Sequence, residues 1–381
     1  MAVNSRTTAN LTQVKYNNQL KRTVEGDDIF SQFRGDITGQ NVLPGTIIAV
    51  KKQKGATKLY MGLVKPLTGA GISGRSPVSG QEKKLELLDY TAYANEFKAG
   101  VNVDKFGIDA VGNEPYGLLK IAVPLLGDFM EKFKGTHRRE ALNQRFSSNL
   151  VSAPSSRTLH INSNVFVGGV AATLQPAYSD TLATYATAIN AAIPDTADAS
   201  HQMNFAGIKL LEKFAITQKR IKPLPNGKYV VTVPTNQKYI LMDTTSGLGS
   251  LFMASGEPSM NLKNWIGEWG RLMFVEDQRS SMLTATDSTS ATLVWTYTTV
   301  TDSRPAAAAD GWDVAYLLGP DAVCELELEA LHLEDDPTVE YGREKRTAAF
   351  ANYGDQLMEW QDGTDVMKNY GSIVALFASL V

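Results

Sequence analysis

Between residues 57 and 103 the apolar and polar positions alternate, break off, and resume. Leu59, Met61 and Leu63 alternate with Lys58, Tyr60 and Gly62, the period of a half-buried strand. Residues 69–80 carry four glycines and a proline and show no apolar period. The pattern returns through Leu85, Leu87, Tyr90, Tyr93 and Phe97 to Val101 and Val103. This predicts a β-hairpin with arms of about ten residues or more, several tens of ångströms long at roughly 3.3 Å per residue. A two-stranded hairpin alone is marginal in water, so an arm this long needs support from another molecule.

Elsewhere the period changes. Leu118, Ala122, Leu125, Phe129 and Phe133 are spaced four, three, four and four, which puts them on one face of a helix that Ala141, Leu142 and Phe146 extend. Pro124 lacks an amide hydrogen and Gly127 and Gly135 are poor helix formers, so a kink or break is expected. Phe205, Ile208, Leu211, Phe214 and Ala215 trace a second amphipathic helix, ended by Pro223 and Pro225. Residues 185–192 suit a short alanine-rich helix. Strands are expected at 46–50, 164–167, 228–233, 271–275, 293–300 and 372–380, with an apolar run at 314–318. Residues 239–242 form an apolar run and 258–269 are turn-rich. Residues 277–290 and 301–310 read as surface loops. Leu326 and Leu328 alternate with Glu325, Glu327 and Glu329, a spacing that fits a strand and, more widely taken, a helix. Residues 1–40 have only Val14, Leu20, Val24 and Phe30 in a weak helical pattern. Such an arm buries little by itself and is either disordered or laid along a neighbour, so its removal is expected to harm association more than folding. No internal repeat is present.

Composition then bounds the class. The 381 residues suffice for two or three packed units, and 43% hydrophobic with 20% charged residues is ordinary for a globular chain. The single cysteine, Cys324, excludes an internal disulfide framework and reads as a buried inert thiol. Residues 1–21 lack an apolar signal core. No run approaches the roughly 20 apolar residues that cross a bilayer, so a soluble chain with no membrane partner is expected. Charge is uneven. Residues 1–150 hold 21 Lys and Arg against 14 Asp and Glu, a net of +7, and the remainder holds 16 against 26, a net of −10. This fits an assembly with one face towards nucleic acid, and it equally fits chance plus solubility.

Candidate chemistry is sparse. Gly69-Ala70-Gly71-Ile72-Ser73-Gly74 spells the dinucleotide fingerprint, but no helix begins after it to hold a pyrophosphate; a mobile glycine tip is the better reading. His137, His160, His201 and His332 have no metal or triad spacing. His332, Glu334, Asp335 and Asp336 read as a solvated acidic turn rather than a cation loop. No P-loop and no nucleophile-elbow motif occurs, so nothing points to an enzyme, a cofactor or a metal. Lys132, Lys134, Arg138 and Arg139 cluster on the long helix, as a solvated basic face or as phosphate contacts.

Several passages, taken in order, carry a family likeness. They are the glycine tip with Gly80-Gln81-Glu82 and Leu85; Asn226-Gly227-Lys228-Tyr229-Val230 with Pro234, Ile240 and Leu241; Trp265-Ile266-Gly267 with Glu276; and Leu317-Leu318-Gly319-Pro320-Asp321-Ala322, followed by Tyr353-Gly354 and Tyr370-Gly371. In this order they resemble the major capsid proteins of tailed phages, in the group typified by coliphage N-4. The resemblance implies the α+β Hong Kong 97 (HK-97) fold: an amino-terminal arm (1–45), an extended hairpin loop (46–106), a peripheral domain with a spine helix (107–159), an axial domain (160–330) and carboxyl strands returning to the peripheral domain (331–381). It implies a structural protein whose copies form hexamers and pentamers of an icosahedral virion shell around double-stranded DNA. That shell would be assembled in the host bacterial cytoplasm, with portal, scaffold and cement proteins as further partners. On this reading Gly69, Gly71, Gly74, Arg75, Gly80 and Glu82 form the inter-subunit hairpin tip, and Lys132, Lys134, Arg138 and Arg139 face DNA. Some relatives of this fold cross-link their subunits, but no lysine–asparagine pair with a catalytic acid can be placed here. A cargo-enclosing nanocompartment of the same fold, a tail or portal ring, and an enzyme of another type are the alternatives.

Overall fold

The computed structural model describes residues 29–36, 47–52, 58–64, 87–104, 115–143, 164–171, 174–177, 188–189, 192–193, 199–243, 248–249, 264–280, 282–284, 311–336, 344–358, 360–362, 366–369 and 371–379. Two sheets and one long helix organise them.

In the five-stranded sheet, β1 (Arg34–Asp36) runs parallel to β2 (Ile48–Lys52), and β2 parallel to β12 (Val323–Asp336). Beyond β12 lie β13 (Glu344–Leu357) and then β5 (Asn95–Asp104), each antiparallel to its neighbour. Helix α1 (Pro115–Asn143) covers one face. Leu126 and Met130 pack on Phe97 of β5, Leu333 of β12, and Ala349, Ala351 and Tyr353 of β13. Phe97 stands opposite Ala351 and Leu333 opposite Ala349 in the ladders, so the pleat turns these strand residues to the same side. Cys324 and Leu326 turn to the other face, against Ala49 and Met358.

The seven-stranded sheet has the order β6 (Val165–Val167), β16 (Ser372–Ala378), β11 (Gly311–Leu318), β7 (Tyr229–Pro234), β9 (Leu272–Asp277) and β8 (Trp265–Trp269), with β10 (Met282–Thr284) paired to β11. Strands β7, β9 and β16 are buried along their whole length, as strands covered on both faces must be. One face joins Val230, Tyr316 and Val374 to Phe30 and Phe33. The other joins Val231, Phe274, Leu317 and Phe377 to Ile208 and Leu211, which lie on α2 (Phe205–Lys213). Asn204 caps α2 by accepting a hydrogen bond from the Gly207 amide at 2.8 Å. The helix runs on into a π-turn at Phe214–Gln218. A short helix, α3 (Thr235–Leu241), follows β7.

The hairpin stands apart from both sheets. Strands β3 (Lys58–Val64) and β4 (Leu87–Tyr93) pair antiparallel from Lys58 opposite Tyr93 to Val64 opposite Leu87. After Ala94, β4 runs on into β5, so the returning arm belongs to the hairpin for seven residues and to the five-stranded sheet for the next ten.

Several expectations are corrected. Helix α1 is one helix of 29 residues through Pro124, with no break at either glycine; the amide that proline lacks costs a single bond in eight turns, against an apolar face packed on the sheet. The amino-terminal arm does not end at residue 45 as a detached segment. Ile29, Phe30 and Phe33 are buried, and the Phe30 ring sits between Tyr316 at 6.3 Å and the Arg139 guanidinium at 5.1 Å. The span 46–106 is a loop only in its middle, because β2 and β5 anchor both ends. The 330/331 division falls inside β12; of the carboxyl strands, β13 joins the sheet under α1, while β16 lies in the centre of the seven-stranded sheet. Its run of apolar side chains suits a strand buried on both faces. Residues 265–269 form β8, and 239–241 belong to α3. His332, Glu334, Asp335 and Asp336 lie on a strand, not a turn. Of the alanine-rich helix, one helical bond from the Ile193 amide to the Ile189 carbonyl is described. The expected strand at 293–300 lies outside the described residues.

Candidate assembly surfaces and a buried charge cluster

Strand β12 presents Glu325 to α1, and the covering surface is basic at that point. Glu325 is fully buried and sits at the centre of the cluster. Its carboxylate accepts from Arg34 Nε and Nη2 at 2.9 and 2.8 Å, from Lys134 Nζ at 2.6 Å and from Arg138 Nη2 at 2.9 Å. Arg34 also lies 3.6 Å from Glu327. Directly across the ladder from Glu325 stands Asp355 of β13, whose oxygens have no hydrogen-bond partner among the described residues; Arg138 Nε is 3.8 Å away. Three cations from β1 and α1 thus meet two buried carboxyl groups on adjacent strands. Lys134 also lies 4.8 Å from the Tyr353 ring centre.

Burial and charge act in opposite senses on these groups. Burial works to raise the Glu325 carboxyl, but Lys134, Arg138 and Arg34 overcome it and hold it well below the usual carboxylate range. Burial pushes the Lys134 amine down, against the pull of Glu325. At Asp355, burial and then the Glu325 charge push the carboxyl up to about 6, although Arg138, Lys134 and His137 pull the other way.

A neighbouring stripe of α1 reaches the second sheet. Arg139 donates from Nε and Nη2 to both oxygens of Asp277, at the end of β9, at 2.9 and 2.5 Å. Arg279 donates to Glu131 at 2.7 and 3.3 Å. Residues 277–280, expected on a surface loop, therefore serve as anchors: Asp277 and Ser280 are buried. Through these pairs α1 fixes the β1 segment and both sheets into one unit.

The basic quartet is dispersed by this geometry. Lys132 is exposed, but Arg138 and Arg139 are buried and Lys134 is held by Glu325. Neither a solvated face nor a phosphate contact describes these three, because acidic partners from distant segments already neutralise them. The tip residues Gly69, Gly71, Gly74, Arg75, Gly80 and Glu82 lie outside the described residues. Cys324 is buried. The sequence reading missed the cluster around Glu325 and Asp355, whose one trace in the sequence was glutamates alternating with leucines.

The exposed surface shows where contacts with other molecules are available. Leu125 and Phe129 on α1, and Tyr239 on α3, stay more than half exposed at 58%, 54% and 72%. No group of His, Cys, Asp and Glu able to hold a metal ion occurs among the described residues. No helix among them is long and apolar enough to cross a membrane.

No protein-family model and no curated protein matches the sequence. Solved structures do match its fold. The chain is similar to the capsid of Ralstonia phage GP4, with a TM-score of 0.63, 14% identity, and 92% of this chain and 91% of that one covered. It is similar to the Cyanophage Pam1 capsid asymmetric unit, with a TM-score of 0.57, 12% identity and 86% of each chain covered. It is also similar to the acidic stable capsid of Helicobacter pylori bacteriophage KHP30, with a TM-score of 0.56, 15% identity, and 87% and 88% covered. The chain has the HK-97-like α+β fold of phage capsid proteins.

Proposed function

We propose that this chain is the major capsid protein of a tailed bacteriophage, of the N-4-type group. Its copies assemble in the host bacterial cytoplasm, as hexamers and pentamers, into the icosahedral shell of the virion around double-stranded DNA. The observation that supports this is a fold shared with the Ralstonia phage GP4 capsid over 92% of the chain. Two physical features agree with it. The β3–β4 ribbon pairs with neither main sheet, so it is stabilised best by burial across a subunit boundary. The ion pairs along α1 make the rest of the subunit a stiff body, which is what repeated heterologous contacts need in order to close into rings. The tip from Gly69 to Glu82 lies on a neighbour in this reading. DNA is met through phosphate neutralisation without sequence preference, for which Lys132 remains the candidate on α1. Portal, scaffold and cement proteins are the further partners of such a shell.

Electron microscopy of the purified chain tests the proposal. Uniform closed particles that protect double-stranded DNA from nuclease are expected in the virion, and closed particles from the chain alone. A monomer at every concentration overturns the reading, and closed shells filled with protein cargo favour a nanocompartment instead. Deletion of residues 69–80 is expected to leave the melting temperature of the subunit unchanged while abolishing closed particles.

A further inference from the structure

Charge is uneven within the acidic carboxyl part of the chain as well. Residues 151–381 hold 16 Lys and Arg against 26 Asp and Glu, yet residues 205–228 hold six against one. That stretch is α2, its π-turn and the turn that leads into β7. Every exposed charged residue in it is a cation: Lys209, Lys213, Arg220 and Lys222. Lys209, Lys213, Thr217 and Arg220 are spaced four, four and three, so they share the solvent side of α2 and its extension. Ile208, Leu211 and Phe214 are buried on the sheet.

Arg271 joins them from the neighbouring strand. Strand β9 starts beside β7, where the Tyr229 amide donates to the Arg271 carbonyl at 2.7 Å, and Arg271 is exposed. The nearby acids are engaged elsewhere. Glu212 accepts from the Arg271 amide at 3.3 Å, and Glu268 pairs with Lys228 at 2.5 Å. Lys213, Arg220, Lys222 and Arg271 make no ion pair among the described residues. Arg220 has a left-handed backbone, φ 51°, which suits glycine and costs stability in any residue with a side chain. Its flanks hold it there: the Lys219 and Ile221 amides donate to the Phe214 and Ala215 carbonyls, both at 3.0 Å. A cation thus occupies a position whose backbone favours glycine.

Three features select the ligand. Between the cations the exposed side chains are Ala206, Thr217, Gln218, Pro223, Pro225 and Asn226. None is a large apolar group of the kind that forms the core of a protein interface. No exposed aromatic among them offers an unpaired base a stacking platform; Phe205 is half-buried, with the Lys209 amine 4.3 Å from its ring centre. At 1.5 Å per residue, Lys209 to Arg220 covers about 16 Å, a length of duplex that carries about ten phosphates.

We infer that the solvent side of α2, with Lys222 and Arg271 beyond its end, holds duplex DNA by its phosphates. This rests on the DNA-filled shell proposed above and names a surface for that DNA outside α1.

Titration of the dissociated full chain with a short DNA duplex of random sequence, at several salt concentrations, tests it. Lys209→Gln, Lys213→Gln, Arg220→Gln and Lys222→Gln combined should weaken binding by at least about tenfold and lower the salt slope by about three to four. Lys213→Gln with Lys222→Gln should lower it by about two. Lys52→Gln with Lys98→Gln removes two exposed cations from the five-stranded sheet and should leave it unchanged. Arg220→Gly should keep or raise the melting temperature while lowering the slope by about one. A wild-type chain that binds no duplex at low salt overturns the inference. So does a fourfold variant that melts and binds as wild type does, or an equal loss in the Lys52 and Lys98 pair, which makes the effect one of net charge. Tighter binding of polyglutamate than of duplex assigns the surface to an acidic protein and overturns it too. Because dissociated chains are titrated, the DNA surface is decided whether or not electron microscopy finds the shell.

Discussion

In the seven-stranded sheet, Val231, Phe274, Leu317 and Phe377 are buried by one another and by α2. The sheet beneath α1 is covered differently along its length: Leu126 and Met130 rest on apolar neighbours, and one to two turns later Lys134 and Arg138 close over Glu325. The apolar contact tolerates any partner of similar size. The ionic contact accepts one arrangement only, because each buried charge must find its counterpart or remain desolvated without compensation. The difference teaches what each region specifies. The first gives bulk stability, and the second fixes how the helix, the β1 segment and the sheet are placed on one another.

Substitutions can break that contrast. The largest effect is expected from Glu325→Ala, which strands three buried or half-buried cations. Chemical denaturation should show a loss of about 3–5 kcal/mol, and a loss below about 1 kcal/mol would mean that water reaches the cluster. Phe274→Ala removes an apolar side chain from the other sheet and is expected to cost about 3–4 kcal/mol. Unlike Glu325→Ala, its cost should not vary with pH.

Asp355→Asn sharpens the comparison through pH. The Asp355 carboxyl is raised from an ordinary 3.8 to about 6 in the folded chain. The native state therefore keeps a proton that the unfolded chain has released. The stability this confers is complete below about pH 4 and is lost as the pH rises through 6. Glu325 acts in the opposite sense: its depressed carboxyl contributes stability above the ordinary 4.5 that disappears as the pH falls. Wild type should thus lose stability between about pH 5 and 6.5, above the range in which the Glu325 contribution changes. In Asp355→Asn that slope should vanish, with a gain of about 1–3 kcal/mol at pH 7.5 relative to wild type. Parallel melting curves for the two proteins across this range would refute the assignment. The smallest effect is expected from Lys132→Ala: within about 0.5 kcal/mol in stability, but a weaker salt dependence of DNA binding, read by titration at several salt concentrations.

The regular parts of this fold were legible where one face of an element told the whole story. The alternation at 58–64 marks a strand that pairs with 87–93, and the apolar run at 372–378 and the spacing of Ile208, Leu211 and Phe214 describe burial against apolar matter. The family order of short motifs supplied the architecture that periodicity alone could not. The charge cluster was illegible for a definite reason. A polar face reads as solvated when taken alone, and so does a basic helix face; Glu325 and Arg138 are 187 residues apart, and neither face predicts that the other covers it. The burial of Phe30, seen only as part of a weak helical pattern, was missed for a related reason. One buried aromatic in a polar stretch is too weak a period to see, although it ties 29–36 to both α1 and the second sheet. Sheet membership does not follow chain order, since strands far apart in the chain share a sheet, as β2, β5 and β12 do.

The distance in sequence between Glu325 and its cations also orders events at the ribosome. Helix α1 emerges with Lys134 and Arg138 lacking their anionic counterpart, and that counterpart follows 187 residues after Arg138. At synthesis rates of about 5–20 residues per second this is a wait of roughly 10–40 s. Over that interval β5 also lacks β13, the strand that gives it an ordered edge. A nascent or truncated chain therefore has no finished surface to offer, and completion of translation itself becomes the signal that a subunit is ready to join others.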